Sequence, residues 1–298
     1  MINKFGKNKI IVLFAFVLTL STTNVNSQGV GGLTEKSQNT NTSKFTHQTG
    51  KYLDIDGAKI YYEEIENKDK PVLLFLHGGL GNIEDFNSIL NLFTNDYHII
   101  GIDSRGHGKS TLGTNKLTYE RLQFDVESVL NHLQMQDVTI IGFSDGGIVA
   151  YRLAASNKIR IQKLVTIGAT WSLEDAELVE KLMGGTTLEE FRKIFAKKFE
   201  FYQTNNPQPD FNKFVKCLLE MWIDKTEAGY PYANITDINV PVLIVRGNDD
   251  DMFPLESAFE LTKKIKNSLL LNIPFASHRA FREYPQIFET ITKDFLRK

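Results

Sequence analysis

The chain has 298 residues, 42% of them apolar, and its 36 acidic and 34 basic side chains leave a formal charge of −2. That length supports one α/β domain with an insertion. The absence of any basic block argues against a nucleic-acid surface, and the single cysteine, Cys217, excludes an intramolecular disulfide.

Residues 1–27 have the layout of a secretory signal peptide. Lys4, Lys7 and Lys9 precede an apolar run from Ile10 to Leu20, broken only by Thr19, and small polar residues lead to Ser27. The run is well short of the ~20 residues that span a bilayer. Cleavage after Ser27 predicts an exported, periplasmic or secreted protein with no stable membrane span, and removal of three lysines takes the charge to about −5. The alternative is an uncleaved N-terminus that tethers the chain to the membrane. Residues 28–50 are rich in Asn, Thr, Ser, Gln and Gly without apolar period, and read as a flexible polar tether that includes His47.

From Lys51 the pattern changes. Tyr52–Ile55 and Lys59–Tyr62 flank Asp56-Gly57, a hairpin signal. Continuous apolar runs follow at 72–76, 98–102, 138–141, 164–167, 242–245 and 269–273, as expected of strands buried on both faces of a parallel sheet. Helical periods separate most of them, among them 119–133 with Leu122, Val126, Val129 and Leu133 on one face. Such alternation predicts an α/β fold with ligands beyond the carboxyl ends of the strands.

The alternation breaks between 170 and 239. Ser172 can cap a first helix running to Met183. Thr187-Leu188-Glu189-Glu190 reads as a capping box for a second, with Leu188, Phe191, Phe195, Phe199 and Tyr202 at spacings of three and four. Asp210 can cap a third, carrying Phe211, Phe214, Leu218 and Trp222 on one face. An all-helical insertion between sheet strands reads as a cap over the site. The expected organisation is a core over 51–169 and 240–298 and a cap over 170–239. Most of the aromatic stripe is assigned to packing between cap and core, and Cys217 on the same helix to packing as a small hydrophobe.

Gly142-Phe143-Ser144-Asp145-Gly146 carries the chemistry. It joins the apolar run 138–141 to a helical pattern from Ile148, the strand–turn–helix context of a nucleophile elbow. The glycines two residues either side of Ser144 let strand and helix pass closely. A serine needs an adjacent base. Of six histidines, only His278 follows the last strand run, and the chain order serine, acid, histidine selects it. The acid lies among Asp249, Asp250 and Asp251, just past 242–245. Three adjacent carboxylates converge poorly on a cation, so an acid that orients His278 is preferred, and physics alone leaves the choice among the three open.

Together these motifs resemble the α/β-hydrolase superfamily of serine hydrolases. His77-Gly78-Gly79 resembles its oxyanion loop, Asp103 to Ser110 its D-x-R-G-x-G-x-S turn, and Gly247-x-x-Asp250-x-x-x-Pro254 its acid turn. His278 with Glu283-Tyr284-Pro285 is similar to its final loop. The resemblance covers about Lys51 to Lys298 and implies Ser144, Asp250 and His278 as a triad, with backbone N–H groups of Gly79 and Asp145 holding the oxyanion. It implies acyl transfer on a small-molecule ester or amide, with no metal or organic cofactor. An imidazole base predicts activity rising through roughly pH 6 to 7. Asp103, Arg105 and His77 are expected to brace loops.

Asp145, beside the nucleophile, has two readings. One is a first-turn acid favoured by the helix dipole. The other is a carboxylate that recognises a substrate amine, since hydrolases similar to valacyclovirase carry a like S-D-G-G run and prefer amino-acid esters. Asp145 and Trp222 are accordingly the candidate substrate-binding residues. Ester hydrolysis is the leading expectation, an amidase or aminopeptidase the alternative, and a non-catalytic binder a third reading that four intact motifs disfavour.

Overall fold

The computed structural model describes residues 44–183 and 185–298. The leader-like residues 1–27 and most of the expected tether lie outside these residues. Strands β1 (Lys51–Ile55) and β2 (Ala58–Ile65) form an antiparallel hairpin. Asp56 and Gly57 both take positive φ at its turn, as a two-residue hairpin loop requires. Strands β3 (Val72–Leu76), β4 (His98–Ile102), β5 (Asp137–Phe143), β6 (Arg160–Ile167), β7 (Val242–Gly247) and β8 (Ser268–Ile273) follow. The sheet order is β1-β2-β4-β3-β5-β6-β7-β8. β2 pairs antiparallel with β4, and every pair from β4 to β8 is parallel.

Helices α1 (Tyr119–His132) and α2 (Asp145–Ser156) come from the first half of the core. Four more lie between β6 and β7: α3 (Leu173–Met183), α4 (Leu188–Ile194), α5 (Ala196–Asn205) and α6 (Phe211–Trp222). After β7 come α7 (Leu255–Lys264), α8 (Ala280–Glu283) and α9 (Pro285–Arg297). Side-chain alternation along each strand feeds two cores. Leu74 and Leu76 pack with α1, α2, α7 and the cap helices, whereas Leu73 and Phe75 pack with Phe86, Phe281, Phe288 and Phe295 on the other face. Both faces are covered, which is why the inner strands need no polar alternation.

The insertion is anchored by its aromatic stripe. Tyr202 stacks on Phe214 at 5.1 Å, and Phe214 meets the His107 ring edge-on at 4.7 Å. Asn206 donates to the carbonyls of Gly108 and Ser110. Ser172, Thr187 and Asp210 each accept a first-turn N–H. The expected second helix is two, because the chain kinks at Phe195 (φ −106°, ψ 34°) while its aromatic spacing runs on.

The expected tether needs correction at residues 44–50, which are folded. Phe45 is buried against Phe75. His47, 3% exposed, bridges Glu84 through Nδ1 and Asp103 through Nε2, each at 2.7 Å. Glu63 accepts the N–H groups of Thr46 and His47 and the Thr49 hydroxyl, and Lys109 donates to the His47 carbonyl. One aromatic anchor and charged hydrogen bonds leave no apolar period, so the strap reads as a tether. Burial alone would lower the His47 pKa, but Asp103 and Glu84 outweigh it and raise it to about 9. With the folded value above the unfolded one, the stabilisation is complete below about pH 6.5 and lost as pH rises through 9. Unfolding of wild type beside His47→Ala should show a gap in stability that narrows by about 3 kcal/mol between pH 6 and pH 10. A pH-independent gap would mean that His47 is held neutral.

Candidate active site

Strand β5 runs into α2 through Ser144, whose backbone sits at φ 51° and ψ −120°. A non-glycine residue at such angles is strained. The surroundings hold it there: its N–H donates to the Ile167 carbonyl at 2.8 Å, and its carbonyl accepts from Gly147 and Ile148. A Cβ on Gly146 would lie 2.0 Å from the Leu76 carbonyl oxygen, and one on Gly142 would lie 2.6 Å from the Gly146 oxygen. Glycine is therefore required on both sides of the elbow for close approach.

His278 follows β8. Its Nε2 lies 3.1 Å from Ser144 Oγ, and its Nδ1 lies 3.1 and 3.0 Å from the two carboxylate oxygens of Asp250. Of the three candidate acids, only Asp250 is buried. Its Oδ1 also accepts the N–H groups of Met252 and Phe253. Buried Arg246 braces the turn by donating to the carbonyls of Phe253 and Asp250. Gly168 (φ 57°) backs the pair, and a Cβ there would lie 2.9 Å from His278 Nδ1. Ser277 donates through its N–H and its hydroxyl to Glu283, which closes the final loop.

The loop after β3 faces the serine. His77 donates from Nδ1 to the Gly78 carbonyl at 2.8 Å and accepts the Ser104 N–H at Nε2, a neutral tautomer that burial favours by lowering the pKa. Asp103 accepts the N–H groups of Ile83 and Lys109, and Arg105 makes a two-bond ion pair with Asp125. These residues brace loops, and none has a hydrogen bond to a triad side chain among the described residues. Among the described residues, the N–H groups of Gly79 and Asp145 have no protein acceptor. A Cβ on Gly79 would lie 2.6 Å from the Trp222 ring and 2.9 Å from Asp145 Oδ2, so loop, cap and elbow meet at this point.

The structure brings Asp145 and Trp222 together. Trp222 Nε1 donates to Asp145 Oδ2 at 2.9 Å, and the Tyr119 hydroxyl donates to Oδ1 at 2.9 Å. The carboxylate therefore points at the cap, not back along its helix. Burial raises its pKa to about 6, while the bonds from Trp222 and Tyr119 and the nearby His278 oppose the rise. No cation pairs with it among the described residues. Asp145, Ser144, His278, Trp222, Tyr119 and Tyr230 share the lining of a small cavity of about 30 Å³ beside the triad.

Tyr119 and Gly168 escaped sequence reasoning. Tyr119 carries no motif and read only as the start of α1. Gly168 follows a strand as many glycines do, and only the place of His278 shows its purpose. Among the described residues no cluster of His, Cys, Asp or Glu fits a metal ion, and no helix is long and apolar enough to cross a membrane.

A sequence model of the alpha/beta hydrolase fold matches residues 71–216. The bifunctional esterase/perhydrolase DCH of Acinetobacter calcoaceticus is 27% identical over 81% of this chain and 96% of its own length. The serine hydrolase BPHL of Homo sapiens is 28% identical, over 84% of this chain and 87% of its own. Among solved structures, the meta-cleavage product hydrolase of Pseudomonas fluorescens IP01 superposes with a TM-score of 0.70 at 20% identity, over 85% of this chain and 99% of that one.

Proposed function

The chain belongs to the α/β-hydrolase superfamily of enzymes, and from that premise we propose that it cleaves carboxylic esters through an acyl-enzyme on Ser144. One observation carries the proposal. Ser144 Oγ, the His278 ring and the Asp250 carboxylate form an unbroken hydrogen-bonded array on a strained elbow. As Ser144 Oγ attacks the carbonyl carbon, its proton passes to His278 Nε2. Asp250 accepts the Nδ1–H, fixes the tautomer and stabilises the imidazolium. The N–H groups of Gly79 and Asp145 receive the oxyanion, and such donors are typically worth about 10²–10³ in rate each. His278 then protonates the leaving alkoxide, and water repeats the cycle on the acyl-enzyme. The esterase name of the Acinetobacter relative supports an ester substrate. The leader-like residues 1–27 support export as the setting.

A serine-directed organophosphonate tests this reading by intact mass. Wild type should gain one adduct that maps to Ser144. A chain that stays unlabelled while folded would contradict it.

A second reading concerns the acyl part. The buried Asp145 carboxylate, unpaired with any described cation and beside the nucleophile, supports recognition of a substrate amine. Esters with a cationic acyl part should then lose at least tenfold in kcat/KM in Asp145→Asn, measured relative to neutral esters of equal length. Equal or better turnover of the cationic esters would sink the idea. Comparing the same aminoacyl group as ester and as amide separates an esterase from an aminopeptidase.

Asp145 should also cost stability. Its folded pKa of about 6 lies above its ordinary value, so stability falls as pH rises from about 4 to 6 and stays lower above that. At pH 8, Asp145→Asn should be more stable than wild type by about 1–3 kcal/mol, with the difference fading near pH 4. Denaturant unfolding at both pH values checks this.

A further inference from the structure

A second charged cluster lies farther along the oxyanion loop, where a Cβ on Gly81 would lie 2.4 Å from Asp85 Oδ2. Asp85 belongs to the 3-10 turn Ile83–Phe86. It pairs with Lys198 of cap helix α5 at 3.1 Å and with Arg282 of α8 at 3.0 Å. Arg282 also donates to the Asp85 carbonyl. Cap and core thus meet at these charges. The three cations Lys198, Arg282 and Arg279 outweigh burial and hold the Asp85 carboxyl well below the usual carboxylate range.

Arg279 is the group left over. It directly follows His278, is only 8% exposed, and its guanidinium has no hydrogen bond or ion pair with any described residue. Among the described residues, Arg282 Nε is buried without a hydrogen-bond partner. The other charge facing Arg279, Glu283, is occupied by Ser277. Burial and the neighbouring Arg282 depress the Arg279 pKa, while Asp85 and Glu283 oppose the shift. A guanidinium taken largely out of water is stabilised when an anion pairs with it. Its planar fork suits carboxylate and phosphate oxygens. Three cations against Asp85 and Glu283 leave one positive charge, which matches a monoanion better than a phosphate dianion.

We propose that Arg279, with Lys198 and Arg282, forms an anion subsite at the seam of cap and core that takes the free carboxylate of a half-ester substrate. The proposal rests on the ester-hydrolase reading for the rest of the substrate. The carboxylate would sit beside the residue that follows the catalytic base, with the ester carbonyl turned toward Ser144. The same anion would tie Lys198 of the cap to the core, so binding would favour the closed site.

The test reads binding without turnover, so failure of the subsite and failure of the acyl-enzyme reading are separate results. Full-length Ser144→Ala protein is titrated calorimetrically with monomethyl glutarate and with its neutral counterpart, dimethyl glutarate. The half-ester should bind at least tenfold more tightly, and its affinity should fall with added salt while that of the diester should not. Adding Arg279→Gln should bring the ratio of affinities to about one, and Arg279→Lys should restore part of it. Equal binding of the two ligands, no binding of the half-ester, or a ratio that survives Arg279→Gln would overturn the proposal and leave the cluster as a latch between cap and core. Should Arg279→Gln not fold, the half-ester preference and its salt dependence in the Ser144→Ala chain decide alone.

Discussion

Asp250→Asn is expected to lower kcat for esters by about 10⁴-fold while the protein stays folded. The reason lies in what else Asp250 holds. Its Oδ1 accepts two backbone N–H groups, from Met252 and Phe253. An asparagine keeps those bonds only by turning its carbonyl toward them, which presents its NH2 to His278. The imidazole must then accept at Nδ1 and carry its proton on Nε2, pointing at Ser144. In that tautomer it cannot take the serine proton. Steady-state kinetics with a circular dichroism control checks the outcome. Less than a tenfold loss would mean that another group orients His278.

Gly146→Ala should have the largest effect on folding. The added Cβ would lie 2.0 Å from the Leu76 oxygen and 2.4 Å from its carbonyl carbon, both backbone atoms of the central strand β3. A flexible side chain could swing aside, but a paired strand cannot. Either α2 lifts from the sheet or the elbow unwinds, and each breaks a core contact. A loss of more than about 4 kcal/mol places this among the severe single substitutions, and insoluble or unfolded protein is the expected result. Gly147 beside it would meet the Ala169 side chain, with its Cβ at 2.5 Å. That methyl is fixed to its backbone and cannot swing aside, but the closest approach is 2.5 Å rather than 2.0 Å, so the loss should be smaller. Parallel expression and thermal unfolding of the two variants test the ranking.

The sheet was legible because strands buried on both faces must be apolar throughout, and those runs stand out as 72–76, 98–102 and 138–141. The elbow was legible because its glycines answer a contact between neighbouring elements. Ser144 and His278 followed from chain order, and the acid turn's resemblance singled out Asp250. What stayed hidden depends on contacts far apart in sequence. His47 lies in a polar stretch, and its partners Glu84 and Asp103 are 37 and 56 residues away. Tyr119 and Trp222 meet at Asp145 from a core helix and a cap helix, and no local pattern encodes that meeting. The kink at Phe195 hides behind continuous aromatic spacing, because the stripe serves packing on both sides of it. Arg279 read as one more charge in a final loop, since only burial without a partner makes it unusual.

A covalent acyl group on Ser144 is the central step of the proposed reaction. Rapid mixing of p-nitrophenyl acetate with protein starting at Gln28, beside Ser144→Ala, tests it most directly. The expected result is a fast release of p-nitrophenol equal to the enzyme present, followed by slower turnover, with neither phase in the variant. Folded wild type that gives no burst and no turnover, or a variant that keeps the burst, would contradict it.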